Sequence, residues 1–389
     1  MEREHLYGTQ VTVRPDTRRT ILVLIVGASL SCNARCQSST VFSVAPEPVG
    51  SGARALGQSA FIAVADDATA ASWNPAGLIN LEKPEASFVG LWRTMRDELS
   101  STTAGTSLEG DTWSEWEINF MSYAQPIVIG RSDAVLSVNY HQVYDLGLEY
   151  SLAATVEEGQ PPSYEDRTTS VGAISAYSLA GGWSLPPYPQ ITVGGSFNWY
   201  VQSLHHGYVR ESEKTTWTKP PFSSTRFREE INEVLDDLRG YNFTLGILWD
   251  AWEREGRLLT LGMVYHTPFS ARLDQEVVYV NADGSRDPPD RDRIEIDFPS
   301  SLGAGANYRF SDSLSTAFDI QWTDWSGFGY TNAPATPSSD ALAIRLGFER
   351  LWFPQGFRDS VWAMRGGAFY DPRPAWSDIL SVYGISLSR

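Results

Sequence analysis

The chain has 389 residues, of which 47 are acidic and 30 are basic, and its formal net charge is −17 at pH 7. This acidic balance argues against a nucleic-acid-binding protein, because phosphate contacts need a basic surface. Two cysteines are too few for a disulfide scaffold, and no stretch approaches the roughly 18 apolar residues of a spanning helix. A soluble β-rich protein or a transmembrane β-barrel remains, since alternating strands leave only a weak hydropathy signal.

The N-terminus resembles an export signal. Arg18 and Arg19 precede the apolar run 21–30, which is too short to cross a membrane, and small residues follow it. We therefore expect residues 1–36 to be a cleaved signal peptide, although a buried strand is an alternative interpretation. The long segment before Arg18 suggests a start codon further in, and Cys32 raises the possibility of a lipoprotein, although Leu30 stands one position off the usual lipobox.

The body of the chain alternates between apolar and polar residues. In 314–322 and 241–249, for example, every second side chain apart from Thr316 is large and apolar, while most of those between are small or polar. Such alternation predicts strands with one apolar face. Twelve strands are predicted, at 85–95, 114–128, 133–151, 167–186, 191–204, 241–253, 258–281, 294–310, 314–330, 341–353, 360–372 and 381–388.

The connections between these strands alternate in length. Short turns such as 130–132 and 311–313 are followed by long polar loops, predicted at 96–113, 152–166, 205–240, 282–293 and 331–340. Short turns at one end, long loops outside the cell and tryptophans near strand ends are typical of outer-membrane barrels. We therefore expect an all-β, antiparallel transmembrane β-barrel over residues 85–389. A large soluble β-sandwich is the alternative, and it leaves the loop asymmetry unexplained.

Residues 37–84 do not alternate and are predicted to form a hatch that plugs the barrel lumen. Asp66 and Asp67 precede a run of small residues and predict a short capped helix, which Asn74 and Pro75 end. The glycines at 50, 52 and 57 are not followed by Lys-Ser/Thr, so a nucleotide site is not expected. The residues that mark the hatch are Phe61, Asp66, Asp67, Trp73, Asn74 and Pro75.

Several segments resemble the FadL-type family of outer-membrane transporters for long-chain fatty acids and other hydrophobic compounds. The segments are 52–57, 61–78, 298–309, 319–325 and 365–374. Related barrels that serve protein secretion share similar hatch sequence. The resemblance implies a 14-stranded barrel plugged by the hatch, with ligand captured outside, held within the barrel and released sideways through a gap in the wall.

The sequence departs from this family in two respects. The predicted strands number 12, two short of the family, and the end at 383–389 lacks the usual terminal aromatic residue. Both features predict a chain truncated at its C-terminus by roughly two strands. An open sheet edge would then face the lipid.

A ligand-capture groove is predicted in the loop 205–240. Residues 225–239 have the pattern of an amphipathic helix that Gly240 ends, and helices of the corresponding family loop form a capture site. The alternative is that the same apolar stripe packs the loop onto the barrel rim. The predicted groove residues are Trp217, Phe222, Phe227, Ile231, Val234, Leu235 and Leu238.

Four charged residues fall on polar strand faces and are predicted to line the lumen: Arg309, Asp319, Arg345 and Glu349. They either hold the hatch by hydrogen bonds or line a path for the ligand. Arg345 is the candidate for a substrate carboxylate, because a guanidinium can bind one through two hydrogen bonds.

No catalytic residue, metal site or cofactor is predicted. His205-His206-Gly207 lacks metal-ligand spacing, the four acids of 282–293 are interleaved with arginines, and no Gly-x-Ser-x-Gly occurs. The predicted function is uptake of hydrophobic molecules such as long-chain fatty acids across the outer membrane of a Gram-negative bacterium. The alternative is a non-transporting barrel that anchors or shuttles secreted proteins. The expected partners are the ligand, outer-membrane lipid and lipopolysaccharide and the barrel-assembly machinery, with the chain a monomer.

Overall fold

A computed structural model describes residues 31–32, 47–48, 50–96, 106–109, 112–130, 132–154, 164–218, 227–281, 283–330, 340–353, 361–373 and 380–388. The helices are α1 (Ala53–Gln58), α2 (Ala70–Trp73) and the 3₁₀ helices Pro75–Asn80 and Trp325–Gly327. In these residues no helix is long and apolar enough to cross a membrane.

The strands are β1 (Ser31–Cys32), β2 (Glu47–Pro48), β3 (Glu85–Arg96), β4 (Thr106–Glu109), β5 (Thr112–Ile129), β6 (Ser132–Asp145), β7 (Leu148–Ala154), β8 (Tyr164–Val171), β9 (Ala173–Leu185), β10 (Tyr188–Gln202), β11 (Arg210–Thr218), β12 (Phe227–Arg254), β13 (Arg257–His266), β14 (Phe269–Val280), β15 (Asp290–Phe298), β16 (Ser301–Ser311), β17 (Leu314–Thr323), β18 (Gly329–Tyr330), β19 (Ala341–Trp352), β20 (Trp362–Arg373) and β21 (Leu380–Ser388).

The wall of the barrel is one antiparallel sheet in which sequential strands are neighbours. Its order is β3, β5, β6, β9, β10, β12, β13, β16, β17, β19, β20, β21. Each of the twelve predicted strands corresponds to one described strand or to two consecutive ones, so the predicted fold class is confirmed. Within the described residues no pairing joins β3 to β21, and β1 pairs with β21.

A second set of strands continues the wall beyond the long-loop end. β4, β7, β8, β11, the first half of β12, β14, β15 and β18 pair in that order, all antiparallel. β4, β11 and the start of β12 lie where the sequence predicts loops. Those segments form strands because each finds a hydrogen-bonding neighbour in another extension, which sequence alternation alone does not reveal.

The helix predicted over residues 225–239 is wrong, because β12 is a strand from Phe227 onward and pairs with β11 on one side and β14 on the other. The apolar residues of this segment are spaced three or four residues apart, which is the spacing that predicted a helix. A four-residue step keeps Ile231 and Leu235 on one face of a strand. The three-residue step to Leu238 crosses an irregularity at 236–239, where Asp237 has φ 50°, and this bulge returns Leu238 to the face of Leu235.

The two faces of the wall differ in polarity in the sense expected for a membrane barrel. Large apolar side chains point outward and are exposed, for example Trp199, Phe243, Phe318 and Leu346. The inward face carries buried polar groups: Asn198 Nδ2 donates to Asn242 Oδ1 at 2.8 Å. An apolar exterior with hydrogen-bonded polar groups inside suits a wall surrounded by lipid.

The hatch lies inside this wall. Its 3₁₀ helix Pro75–Asn80 contacts β6, β9, β10 and β12, while α1 contacts β19, β20 and β21. Strands from both ends of the sheet order therefore face the same segment, so the wall curves around it. The predicted short helix is present as α2, and Asn74 and Pro75 end it as expected. Its predicted capping by Asp66 and Asp67 is wrong, because the N-cap residue is Thr69 and no side chain caps the helix.

Candidate functional site

The inner wall is made of glycine where the hatch approaches it. Gly182, Gly194 and Gly246 are cross-strand neighbours on β9, β10 and β12. The first two face the hatch backbone between Pro75 and Ile79, and Gly246 faces the side chains of Asn74 and Pro75. A Cβ added at Gly182 would lie 2.9 Å from the carbonyl oxygen of Pro75. The remaining glycines of this surface are Gly262, Gly303, Gly305, Gly347 and Gly367. Because glycine has no side chain, these positions leave the space in which the hatch lies against the wall.

Asp319 fastens the hatch to the wall. This side chain on β17 is fully buried, and its Oδ2 accepts hydrogen bonds from the backbone N–H groups of Phe61 at 2.5 Å and Ile62 at 2.9 Å. Both donors lie just after α1, where the hatch chain turns. A carboxylate that accepts two backbone N–H groups forms strong, charge-assisted hydrogen bonds, so the predicted hatch-holding role of Asp319 is the one that the geometry supports.

Glu349 forms a second attachment. Its carboxylate lies 3.3 Å from Arg54 Nε on α1 and accepts a 2.6 Å hydrogen bond from Arg365 Nε on β20. Arg54 also pairs with Asp66 within the hatch, and its guanidinium lies 5.7 Å from the ring centroid of Phe61. The hatch therefore contributes one cation to a network that the wall completes.

Buried amides hold the hatch at two further points. Asn119 on β5 accepts from Gly52 N–H and donates to Gly50 O, both at 3.0 Å. Asn74 Nδ2 donates to the carbonyl of Ile62 within the hatch, at 3.0 Å, and reaches the wall carbonyl of Ile247 at 3.3 Å. Asn74 was predicted as a hatch residue, whereas Asn119 was not.

The other two predicted lumen residues do not contact the hatch in this way. Arg345 donates to Gln321 Oε1 at 2.9 Å and pairs with Asp371 at 3.2 Å. Arg309 lies near the short-turn end, opposite Ser315. Since the guanidinium of Arg345 already has an acidic partner, the geometry does not favour the predicted role in binding a substrate carboxylate.

An apolar cluster fills the interior on the long-loop side of the hatch. Aromatic rings form its centre: Phe269 stacks on Tyr200 with centroids 3.9 Å apart and on Phe298 at 4.6 Å, and Phe298 stacks on Tyr144 at 5.1 Å. Its buried members are Leu146, Ile174, Ala176, Tyr200, Val209, Leu235, Leu238, Phe269, Ala271, Leu273, Ile294, Ile296 and Phe298. Tyr144 on β6 and Phe298 on β15 come from distant parts of the sheet, so the cluster spans the lumen.

Only two of the seven predicted groove residues belong to the buried part of this cluster. Leu235 and Leu238 are buried in it, while Ile231 and Val234 are half-buried. Trp217 and Phe227 lie on paired strands, and Phe222 lies outside the described residues. The aromatic members, Tyr144, Tyr200, Phe269 and Phe298, were missed, because they lie in strands whose alternation gave no hint that they would meet.

The wall is interrupted beside this cluster. The pairing of β5 with β6 ends at Phe120 and His141; farther toward the long loops, the described part of β5 pairs only with β3. β6 continues along β9 through an irregularity at 142–144, and Glu47–Pro48 pairs with its free edge. Further out, β4 pairs with β7. The result is a gap between β5 and β6 that the sequence did not locate.

A buried charged cluster lines this interruption. Arg93 on β3 pairs with Asp145 and, at 3.0 Å, with Glu117. His206, from the turn after β10, places Nε2 2.6 Å from Glu115 Oε1 and 3.8 Å from Glu117 Oε1. Interaction with Glu115, and to a smaller extent with Glu117, raises the pKa of His206 to about 9.

These features together define a plugged outer-membrane barrel with an apolar interior compartment, which is the architecture of a channel for hydrophobic compounds. The family of outer membrane transport proteins (OMPP1/FadL/TodX) matches residues 30–379, and the chain belongs to this family. The family consists of outer membrane transport proteins, which agrees with the expectation that the chain is not an enzyme. The outer membrane of Gram-negative bacteria is the family's location.

Solved structures share the fold. A FadL homologue from Pseudomonas aeruginosa is 14% identical with a TM-score of 0.56, covering 85% of this chain and 82% of that one. The toluene transporter TbuX of Ralstonia pickettii is 12% identical with a TM-score of 0.50, covering 88% of this chain and 98% of that one. No curated protein sequence matches the chain.

Proposed function

We propose that the chain takes up small hydrophobic molecules through the apolar cluster at the long-loop end of the lumen and passes them toward the hatch. The observation that carries this proposal is the cluster itself. The inner wall of a membrane barrel is normally polar, yet here aromatic and aliphatic side chains converge from β6, β10, β12, β14 and β15. Transfer from water into such a site favours an apolar ligand by roughly 25 cal/mol per Å² of buried apolar surface.

Leu235 and Leu238 connect this cluster with the capture role predicted from the sequence. They lie on the part of β12 that belongs to the outer strand extension, and they are buried against Phe269 and its neighbours. Capture therefore takes place on strand residues inside the extension. A ligand enters by parting side chains that already contact one another, which makes side-chain rearrangement part of binding.

Two substrate classes fit an apolar compartment: long-chain fatty acids and uncharged aromatic hydrocarbons. A fatty acid needs a cation for its carboxylate, but Arg54, Arg93 and Arg345 each pair with a carboxylate of the protein. The aromatic centre of the cluster offers stacking surfaces without a charge requirement. These contacts favour an uncharged ligand, and one structure with the same fold is named a toluene transporter.

The gap between β5 and β6 provides a route out of the compartment. Tyr144 of the cluster lies on β6 next to Asp145, where that strand has parted from β5. An apolar molecule leaving there would pass the buried charged cluster around Arg93 and enter lipid directly. This supports the sideways release that the family resemblance implies.

Uptake assays in cells without their own hydrophobic-compound channels test the proposal. We expect the chain to accelerate entry of labelled toluene more than entry of labelled oleate. Phe269→Ala, which removes the central ring of the cluster, should slow entry about tenfold if the ring contributes about 1.4 kcal/mol to binding. The matched control is Phe318→Ala, which removes an outward ring that is 44% exposed.

The outcomes separate the possible functions. Preference for oleate would move the proposal to fatty acids, and equal loss in both variants would place the effect in barrel assembly. Entry no faster than in cells without the chain, with the barrel present in the outer membrane, would contradict transport. Co-purification of exported proteins in that case would support the alternative of an anchor for secreted proteins.

A further inference from the structure

We propose that Glu115, Glu117 and His206 form a binding site for a divalent transition-metal ion, with Zn²⁺ as the probe. One ligand atom from each residue lies within 4.8 Å of the others. Glu115 and Glu117 lie on the same face of β5, because side chains two residues apart on a strand point in the same direction. His206 reaches them from the turn that follows β10.

The ligand atoms are buried and face one another, with His206 Nε2 2.6 Å from Glu115 Oε1. Both carboxylate oxygens of Glu115, Oε1 of Glu117 and Nε2 of His206 complete no hydrogen bond of acceptable geometry. The side chain of Glu117 is only 2% exposed. Buried polar atoms normally complete their hydrogen bonds, and a cluster of ion-paired atoms whose hydrogen bonding is incomplete calls for an explanation such as an ion.

Neighbouring residues hold Glu117 in a ligating orientation. Gln142 Nε2 donates to Glu117 Oε2 at 2.7 Å, and Arg93 Nη2 donates to the same oxygen at 3.0 Å. Two donors on Oε2 leave Oε1 directed toward His206. Outer partners of this kind are what fix a first-shell carboxylate in metal sites.

The charges of the cluster balance with a divalent cation. Glu115, Glu117 and Asp145 carry three negative charges, and Arg93 carries one positive charge. With a neutral imidazole the cluster is left with two negative charges in a buried place, which a divalent ion cancels. A self-contained salt-bridge network with protonated His206 is the competing explanation, and it leaves one negative charge over.

The ligand types favour a transition metal over calcium or magnesium. Zn²⁺ takes imidazole nitrogen and carboxylate oxygen at about 2.0–2.2 Å and commonly keeps one position for water when the protein supplies three ligands. Ca²⁺ prefers six to eight oxygen ligands. A bound ion would tie β5 to the 203–209 turn beside the gap in the wall, and so would fix the edge of that opening.

The test is metal titration of the full chain, purified in detergent and freed of metal with a chelator. Isothermal titration calorimetry with Zn²⁺ should reveal one saturable site per chain, and Co²⁺ at that site should give the visible absorption of a four-coordinate ion. Ca²⁺ should bind at least tenfold more weakly. His206→Gln and Glu115→Gln should each weaken Zn²⁺ binding by at least tenfold.

His205→Gln is the matched control, because His205 is the adjacent imidazole and is exposed. Its ring contacts those of Trp116 and His206 edge-on, but it does not belong to the three-residue set. It should leave binding unchanged. The heat-dependent electrophoretic migration of a folded barrel checks each variant, and His206, in a turn, is the substitution least tied to wall pairing. The absence of a saturable site, equal affinity for Ca²⁺, or wild-type affinity in folded His206→Gln would overturn the proposal and leave a salt-bridge network.

Discussion

A single oxygen of the buried Asp319 carboxylate accepts hydrogen bonds from the backbone N–H groups of both Phe61 and Ile62. A wall strand in the last third of the chain thereby fixes the turn that follows the first hatch helix. The bond lies on the inward face of β17, between Gly305 and Arg345 on the neighbouring strands. The hatch is therefore held by a specific charged group as well as by complementary shape.

Asp319→Asn should loosen the hatch without unfolding the barrel. The amide removes the negative charge from the group that accepts both N–H donors, and hydrogen bonds to charged groups contribute about 1.5–3 kcal/mol. Hydrogen exchange at residues 58–65 should become faster, while the thermal transition of the barrel stays within a few degrees. Asp312→Asn, at an exposed turn, is the control. Unchanged exchange at residues 58–65 would mean that shape alone holds the hatch.

Gly194→Ala and Gly195→Ala should differ sharply although the residues are adjacent. A Cβ at position 194 would overlap the backbone of Pro75 and Ala76, whereas at position 195 its nearest neighbour is 3.6 Å away. Overpacking of this kind costs typically 1–3 kcal/mol. Only Gly194→Ala should expose the hatch to added protease in intact outer membranes. Equal protection of both variants from the protease would show that the wall moves enough at position 194 to accommodate the added methyl group.

The strands of the wall could be predicted from the sequence because each has one face in lipid and one in the lumen, and this enforces a period of two. The extension was harder to predict. In β12, Leu235 and Leu238 are three residues apart, which is a helical spacing. The bulge around Asp237 produces the same side-chain alignment in a strand, and only the partners β11 and β14 decide between the two.

The contents of the lumen were predictable only in part. Asp319 and Glu349 stood out as charges on the polar faces of their strands, and small-residue sequence marked the hatch. The contacts of Asp319 and Glu349 with the hatch depend on which hatch atoms lie opposite them in the folded barrel, and no local sequence pattern encodes that arrangement. Glu115, Glu117 and His206 belong to segments far apart in the chain, so their proximity follows from the curvature of the wall and from no sequence motif.

Phe298→Ala should destabilise the long-loop half of the barrel. Phe298 is 2% exposed and its ring contacts those of Tyr144, Phe269 and Phe328. Removing a buried phenylalanine ring costs about 3–5 kcal/mol. The expected result is faster hydrogen exchange in β14 and β15, with little change in β19 and β20. Phe318→Ala removes an exposed ring and should leave the exchange of both pairs close to wild type.

The Arg54–Glu349 ion pair should have a measurable coupling energy, because it is shielded from solvent. The side chain of Glu349 is 7% exposed and that of Arg54 is 23% exposed, so screening is weaker than for surface pairs, which contribute about 0–1 kcal/mol. Glu349→Gln and Arg54→Met, singly and together, form a double-mutant cycle read by the opening free energy of α1 from hydrogen exchange. Residues in one salt-bridge network couple by about 0.5–3 kcal/mol. Arg365 keeps a hydrogen-bond acceptor in Glu349→Gln, which limits new strain in the wall. Additivity within about 0.5 kcal/mol would show that α1 is held by its packing against β19–β21, with the ion pair contributing only orientation.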